Sequence, residues 1–210
     1  MLKEPDPHAS IVTVGSVLLE VNERHERLID GLLMLASSEQ ELSNPTRVEL
    51  ADIAKHVLEE SAEMADAAGV EVRSSIAPAM CWGDSVLLER LVQNLVDNAI
   101  RYNVPEERWV RVTTSTSSQG QATIVVENSG PKVPSYEVPR LFEPFRRLAA
   151  TERLADSSSK LRRRGAGLGL SIVRAVLISH GGEVEALPRE EGGLCITVTL
   201  PAQRMVTARA

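Results

Sequence analysis

Asn94 and Asn98 stand four residues apart in the run from Glu89 to Tyr102, ERLVQNLVDNAIRY. On a helix that spacing stacks the two amides on one face, which Arg101 and Tyr102 extend by another turn. Asparagine is a poor helix former because its side chain competes for backbone hydrogen bonds. Two aligned in mid-helix call for a reason. Neutral amide oxygens can ligate Mg2+ and leave its charge for phosphates to neutralise. Arg101 would then meet a phosphate, and Tyr102 would pack on or bond to a nucleotide. The alternative is a polar stripe facing solvent.

A second candidate is Gly165-Ala-Gly167-Leu-Gly169-Leu-Ser171. Glycines allow the backbone close to an anion, and the helix start that follows presents free N–H groups and a positive dipole end. No Lys-Ser/Thr pair follows, so this is not a Walker A loop, and Leu170 occupies a position where a Rossmann turn needs glycine. Before it runs Lys160-Leu-Arg162-Arg163-Arg164. Those charges repel unless an anion joins them or solvent screens them. A third candidate, Asn128-Ser129-Gly130-Pro131, closes a strand and is followed by Leu141-Phe142-Glu143-Pro144-Phe145-Arg146-Arg147. Asn-Ser-Gly-Pro is also an ordinary turn signature. The chain owns two phenylalanines, both here, and both are expected to anchor the start of this loop to the core.

The elements that must hold these residues can be read from periodicity. Ile11, Val14, Leu18, Val21, His25, Leu28, Leu32, Leu35 and Leu42 fit a heptad seam, the mark of a helix seeking a partner helix. Such a helix of about 32 residues spans roughly 48 Å. Pro45 ends it and marks a domain boundary. A short strand at Val48–Leu50, a helix from Asp52 to about Ala67 and a strand at Val70–Ile76 are predicted next. A helix follows from Ser85 to about Tyr102, its buried stripe Leu88, Leu91, Val92, Leu95 and Ala99. Val110–Ser115 and Ala122–Glu127 form a hairpin. Residues 129–165 show little periodicity and read as a mobile functional loop. A helix from about Gly167 to His180, capped by Gly181-Gly182, leads into strands Glu183–Ala186 and Leu194–Leu200.

Bulk properties narrow the classes. The 210 residues are 43% apolar and 25% charged, enough for a buried core, which at 3% aromatic content must be aliphatic. A net charge of −6 offers no general affinity for nucleic acid or anionic lipid. Two unpatterned cysteines suit a reducing cytoplasm. No stretch approaches the ~20 apolar residues of a membrane span. MLKEPDPHAS has no signal-peptide character, so a soluble cytoplasmic chain is expected, though a longer parent could be membrane-anchored.

In order along the chain, these motifs resemble those of the catalytic domain of two-component sensor histidine kinases, within the gyrase, heat-shock chaperone, histidine kinase and MutL superfamily. Residues 89–102 resemble its N box, Asn128-Ser-Gly130 its first glycine box, Phe142-Glu-Pro-Phe145 its F box and Gly165–Leu170 its second glycine box. The resemblance implies a Bergerat-type α/β two-layer sandwich, a mixed sheet backed by helices, over 47–203. Before it comes a partial dimerisation and phosphotransfer helix in 1–46, and after it a tail, 204–210. It implies ATP and Mg2+ as ligands, with the metal on Asn98 helped by Asn94. Arg101, Tyr102, Asn128, Gly130, Gly165, Gly167, Leu168 and Gly169 would bind ATP. Arg147 would be a lid arginine reaching the γ-phosphate, and 130–165 the lid. Partners would be a response regulator and a second copy, or a related kinase, paired through 11–42.

Two departures matter. Asn128 stands where the family has Asp, so the bond to the adenine amino group lacks a charge and Asn128→Asp is expected to tighten ATP binding. None of the four histidines, His8, His25, His56 and His180, has the family's phospho-acceptor setting. The chain is thus expected to be a cut piece or a shortened kinase, able to bind ATP but not to phosphorylate itself. Alternative functions are a non-catalytic ATP-binding module that forms mixed dimers with a kinase, or an anti-sigma-type serine kinase, against which the heptad helix argues. ATP hydrolysis of the gyrase kind ranks low, since an amide at position 94 cannot act as a general base.

Overall fold

The computed structural model describes residues 42, 45–104, 106–146 and 167–203. All of the predicted 11–42 helix except Leu42, its dimerisation seam, His8, His25, Arg147, Gly165, the basic run at 160–164 and the 204–210 tail lie outside the described residues.

The first strand, β1 (Thr46–Glu49), pairs antiparallel with β3 (Met80–Gly83) in a two-stranded ribbon, and β3 is an element that periodicity did not reveal. The Glu49 carboxylate accepts from the backbone N–H of Ala51 at 3.1 Å and of Ala79 at 2.6 Å. One side chain thus caps α1 (Leu50–Glu60) and pins the approach to β3. The single helix predicted over 52–67 is two, because Ser61 separates α1 from α2 (Ala62–Ala68). Ser61 has ψ −6, flatter than helical backbone, and its buried hydroxyl lies 3.4 Å from the Gln93 amide nitrogen.

The main sheet has the order β2-β4-β5-β7-β6, built from β2 (Glu71–Ile76), β4 (Trp109–Thr116), β5 (Ala122–Asn128), β7 (Leu194–Leu200) and β6 (Glu183–Pro188). β2 and β4 run parallel and every other neighbouring pair runs antiparallel, so the predicted mixed sheet is present. Strand alternation turns Val110, Val112, Ile124, Val126 and Val198 inward, fully or almost fully buried. They pack in one core with Leu88, Leu91, Val92 and Leu95 of α3 (Ser85–Arg101) and Val173, Val176 and Leu177 of α4 (Gly169–His180). This is the two-layer sandwich. On the opposite face, Arg73, Arg111 and Arg189 surround the Trp109 ring at 5.5, 5.3 and 4.6 Å. No described helix is long and apolar enough to cross a membrane.

The start of α3 and the end of α4 are tied together through Asp84 and His180. Asp84 caps α3, its carboxylate accepting from Val86 N at 3.0 Å and Leu87 N at 3.2 Å, while its own N–H donates to His180 Nε2 at 3.1 Å. His180 Nδ1 lies 2.7 Å from the Val176 carbonyl and so carries the proton. A Cβ on Gly83 would stand 2.7 Å from His180 Nε2, so only glycine leaves the ring its place. Burial, partly offset by the hydrogen bonds and by Asp84, holds the His180 pKa below its ordinary 6.5. The folded state therefore refuses a proton that the unfolded chain takes up below about 6.5, and stability falls as the pH is lowered through that value. Thermal melts at pH 7.5 and 5.5 are expected to show a loss at the lower pH that shrinks in His180→Gln. An equal loss in both proteins would remove His180 as the cause.

Candidate nucleotide site

The N-terminal end of α4 faces the middle of α3, and the two asparagines meet it there. Asn94 Nδ2 donates to the Arg90 carbonyl of its own helix at 2.7 Å, which points Oδ1 outward. A Cβ added to Gly169 would stand 3.1 Å from Asn94 Oδ1, 2.9 Å from Asn98 Nδ2 and 3.3 Å from Asn98 Oδ1. The Asn98 amide lines the cavity beside Gly169. Gly169 opens α4, no side chain caps that end, and the first helical bond is Ile172 N to Leu168 O at 2.9 Å. Uncapped N–H groups and a positive dipole end thus lie beside two amide side chains.

Beyond them opens a narrow cavity of about 80 Å³, continuous with solvent. Leu95, Ala99, Val126, Leu194 and Ile196 give it an apolar floor, while Asn98, Tyr102, Asn128 and Arg146 bring polar groups to its wall. Such a mixture suits a flat heteroaromatic ring with a charged tail. Gly167 and Gly169 complete the wall at the α4 end.

Asn128, the last residue of β5, is buried. Its Nδ2 donates to the carbonyls of Tyr102 at 3.3 Å and Ser129 at 2.8 Å. Both neighbours are acceptors, so the amide can point only its nitrogen at them, and Oδ1 becomes the end left for a ligand. That geometry reverses the expected benefit of Asn128→Asp. A carboxylate would set an anionic oxygen against two carbonyls. Gly130 packs beside this amide, where a Cβ would meet Tyr102 O at 2.8 Å and Asn128 Nδ2 at 3.0 Å.

Not every predicted residue joins the group. Arg101 turns to Asp97, 3.2 Å away on its own helix, and does not line the cavity. Leu168 is buried in the core and contributes backbone at the start of α4. The expectation that both phenylalanines anchor the loop is half wrong. Phe142 is buried with Val133, Val138 and Leu141, but Phe145 is 57% exposed. The first part of the predicted mobile loop is also ordered, as a 3-10 helix over Ser135–Phe142 resting on Leu170, Val184, Ala186 and Leu194. Arg146, which sequence reading passed over for its neighbour, reaches the cavity wall.

One further cluster of ligand-type side chains, His56 with Glu60 and Glu89, sits about half exposed where α1 meets α3, with contacts of 3.5 and 3.9 Å. It reads as an i,i+4 surface contact with an added carboxylate.

Comparison with known proteins gives the arrangement a context. The model of the family described as histidine kinase-, DNA gyrase B- and HSP90-like ATPase matches residues 83–204. The chain is similar to the sensor protein CutS of Streptomyces coelicolor, 46% identical over 200 residues that make up 95% of this chain and 46% of that protein. It is 30% identical over 186 residues to the sensor histidine kinase CusS of Escherichia coli K12, covering 88% of this chain and 37% of that one. Among solved structures, the mycobacterial sensor histidine kinase MprB superposes with a TM-score of 0.63 at 28% identity, covering 77% of this chain and all of that one. The chain spans less than half the length of the curated relatives it matches.

Proposed function

The chain belongs to the family of histidine kinase-, DNA gyrase B- and HSP90-like ATPases, and on that premise we propose that it is the ATP-binding and γ-phosphate-donating part of a two-component sensor histidine kinase. The observation that carries this reading is the meeting of Asn94 and Asn98 with Gly169 beside a largely apolar cavity that Asn98, Gly169 and Asn128 line. Adenine fits the floor, with its amino group donating to Asn128 Oδ1. The triphosphate then runs toward the uncapped start of α4.

A divalent cation fits the same place. Asn94 offers an oriented neutral oxygen and Asn98 a second amide beside it, the hard and uncharged donors that leave room for phosphate oxygens around Mg2+. Bound there, the metal would neutralise charge on the phosphates. Phosphoryl transfer asks little covalent chemistry of such a domain. Its residues grip the base, orient the chain of phosphates and present its end to an acceptor.

The acceptor lies outside these residues in this reading. His180, buried with both ring nitrogens engaged, is closed to phosphoryl transfer. Cytoplasmic placement, a response regulator as the downstream partner, and pairing of two chains through 11–42 belong to the same proposal. Incubation with γ-labelled ATP and Mg2+ is expected to leave the chain unlabelled although it binds nucleotide. Acid-labile phosphate on the chain would refute that assignment of roles.

A further inference from the structure

Arg146 ends the described run that follows the 3-10 helix, and its placement is unusual. Phe145 just before it has φ 62, a left-handed conformation that a bulky side chain adopts only under constraint. The constraint is visible. Gly167, itself at φ 75, crosses so close that a Cβ there would stand 2.9 Å from the Phe145 carbonyl carbon and 3.0 Å from Arg146 O. The strained turn leaves the Phe145 ring exposed while Arg146 lines the cavity.

The guanidinium is poorly satisfied there. Its Nε is buried with no hydrogen-bond partner among the described residues. Its ion pair with Glu137 spans 3.8 Å from Nη2 to Oε2, beyond hydrogen-bond length. A fork of five donors that among the described residues meets one loose ion pair, with one nitrogen cut off from water, is an incomplete anion site. Its neighbours on the wall, Gly167 and Gly169, form the end of the cavity where the asparagine amides and the α4 terminus gather.

We propose that Arg146 is a nucleotide-binding residue that grips the polyphosphate, exchanging its loose contact with Glu137 for a charge-assisted one with phosphate oxygens. The inference rests on the ATP-binding reading above and adds to it a contact separate from the one that the sequence motifs imply for Arg147. Adenine needs nothing from Arg146, so the contribution must scale with phosphate and not with the base.

Calorimetric titration of the 210-residue chain with a nonhydrolysable ATP analogue, ADP and AMP, each with Mg2+, separates the possibilities. Arg146→Ala is expected to weaken the ATP analogue and ADP by roughly ten- to a hundredfold, the usual worth of a hydrogen-bonded charge, and AMP distinctly less. Arg146→Lys should recover part of the loss, and the melting temperature should hold, since the side chain is one-third exposed. Wild-type binding with Arg146→Ala unchanged would overturn this inference and leave the ATP-binding reading standing. So would an equal loss for all three nucleotides, the sign of a packing role. No binding by the wild-type chain would overturn both.

Discussion

Gly169→Ala is expected to cost about a hundredfold or more in affinity for Mg2+-ATP without lowering the melting temperature. The added methyl would stand 2.9 Å from Asn98 Nδ2 and 3.1 Å from Asn94 Oδ1, so both amides must give way. They are flexible side-chain ends and can do so without disturbing the core. Their displacement, however, removes the polar groups that would receive the metal and phosphates. Meanwhile alanine at the first residue of α4 gains up to about 1 kcal/mol of helix propensity over glycine. Binding and stability therefore move independently, which a general folding defect would not produce. Calorimetry beside a thermal melt reads both. Undiminished affinity in this variant would mean that nothing binds between Gly169 and the amides.

Asn128→Asp is expected to weaken ATP binding by roughly ten- to a hundredfold near neutral pH, from the loss of a donor and the burial of an unpaired charge. The carboxylate would keep an acceptor for the adenine amino group. It would also face the carbonyls of Tyr102 and Ser129, which now take hydrogen bonds at 3.3 and 2.8 Å, with an oxygen instead of an N–H group. To escape, the side chain must rotate away from the ligand or the end of α3 must shift. The same variant should melt earlier. Tighter binding by the variant would show that Asn128 turns its oxygen, not its nitrogen, toward those carbonyls.

The parts of this site that were legible from sequence are those set by local rules. The stripe of Leu88, Leu91, Val92 and Leu95 places α3 and, with it, puts Asn94 and Asn98 on one face, as the structure has them. Alternation in β4 and β5 and the Gly181 stop after α4 were equally readable. What escaped depends on distant contacts. β3 is four residues long and exists because β1 pairs with it. Pro134 before the 3-10 helix and Pro139 within it hid the apolar set Val133, Val138, Leu141 and Phe142 from any helical period. The orientation of the Asn128 amide is set by two carbonyls, that of the adjacent Ser129 and that of Tyr102, 26 residues earlier. The turn of Arg146 toward the cavity depends on one strained residue, Phe145, held by a glycine from beyond the loop.

Titration of the chain with a nonhydrolysable ATP analogue and Mg2+, followed by both heat and amide NMR, tests the central claim most directly. Saturable heat should accompany shifts of the Asn94, Asn98 and Asn128 side-chain amides and the Gly167 and Gly169 backbone N–H groups. Absence of heat, with those five signals unmoved at millimolar nucleotide, would contradict the claim that this cavity holds ATP.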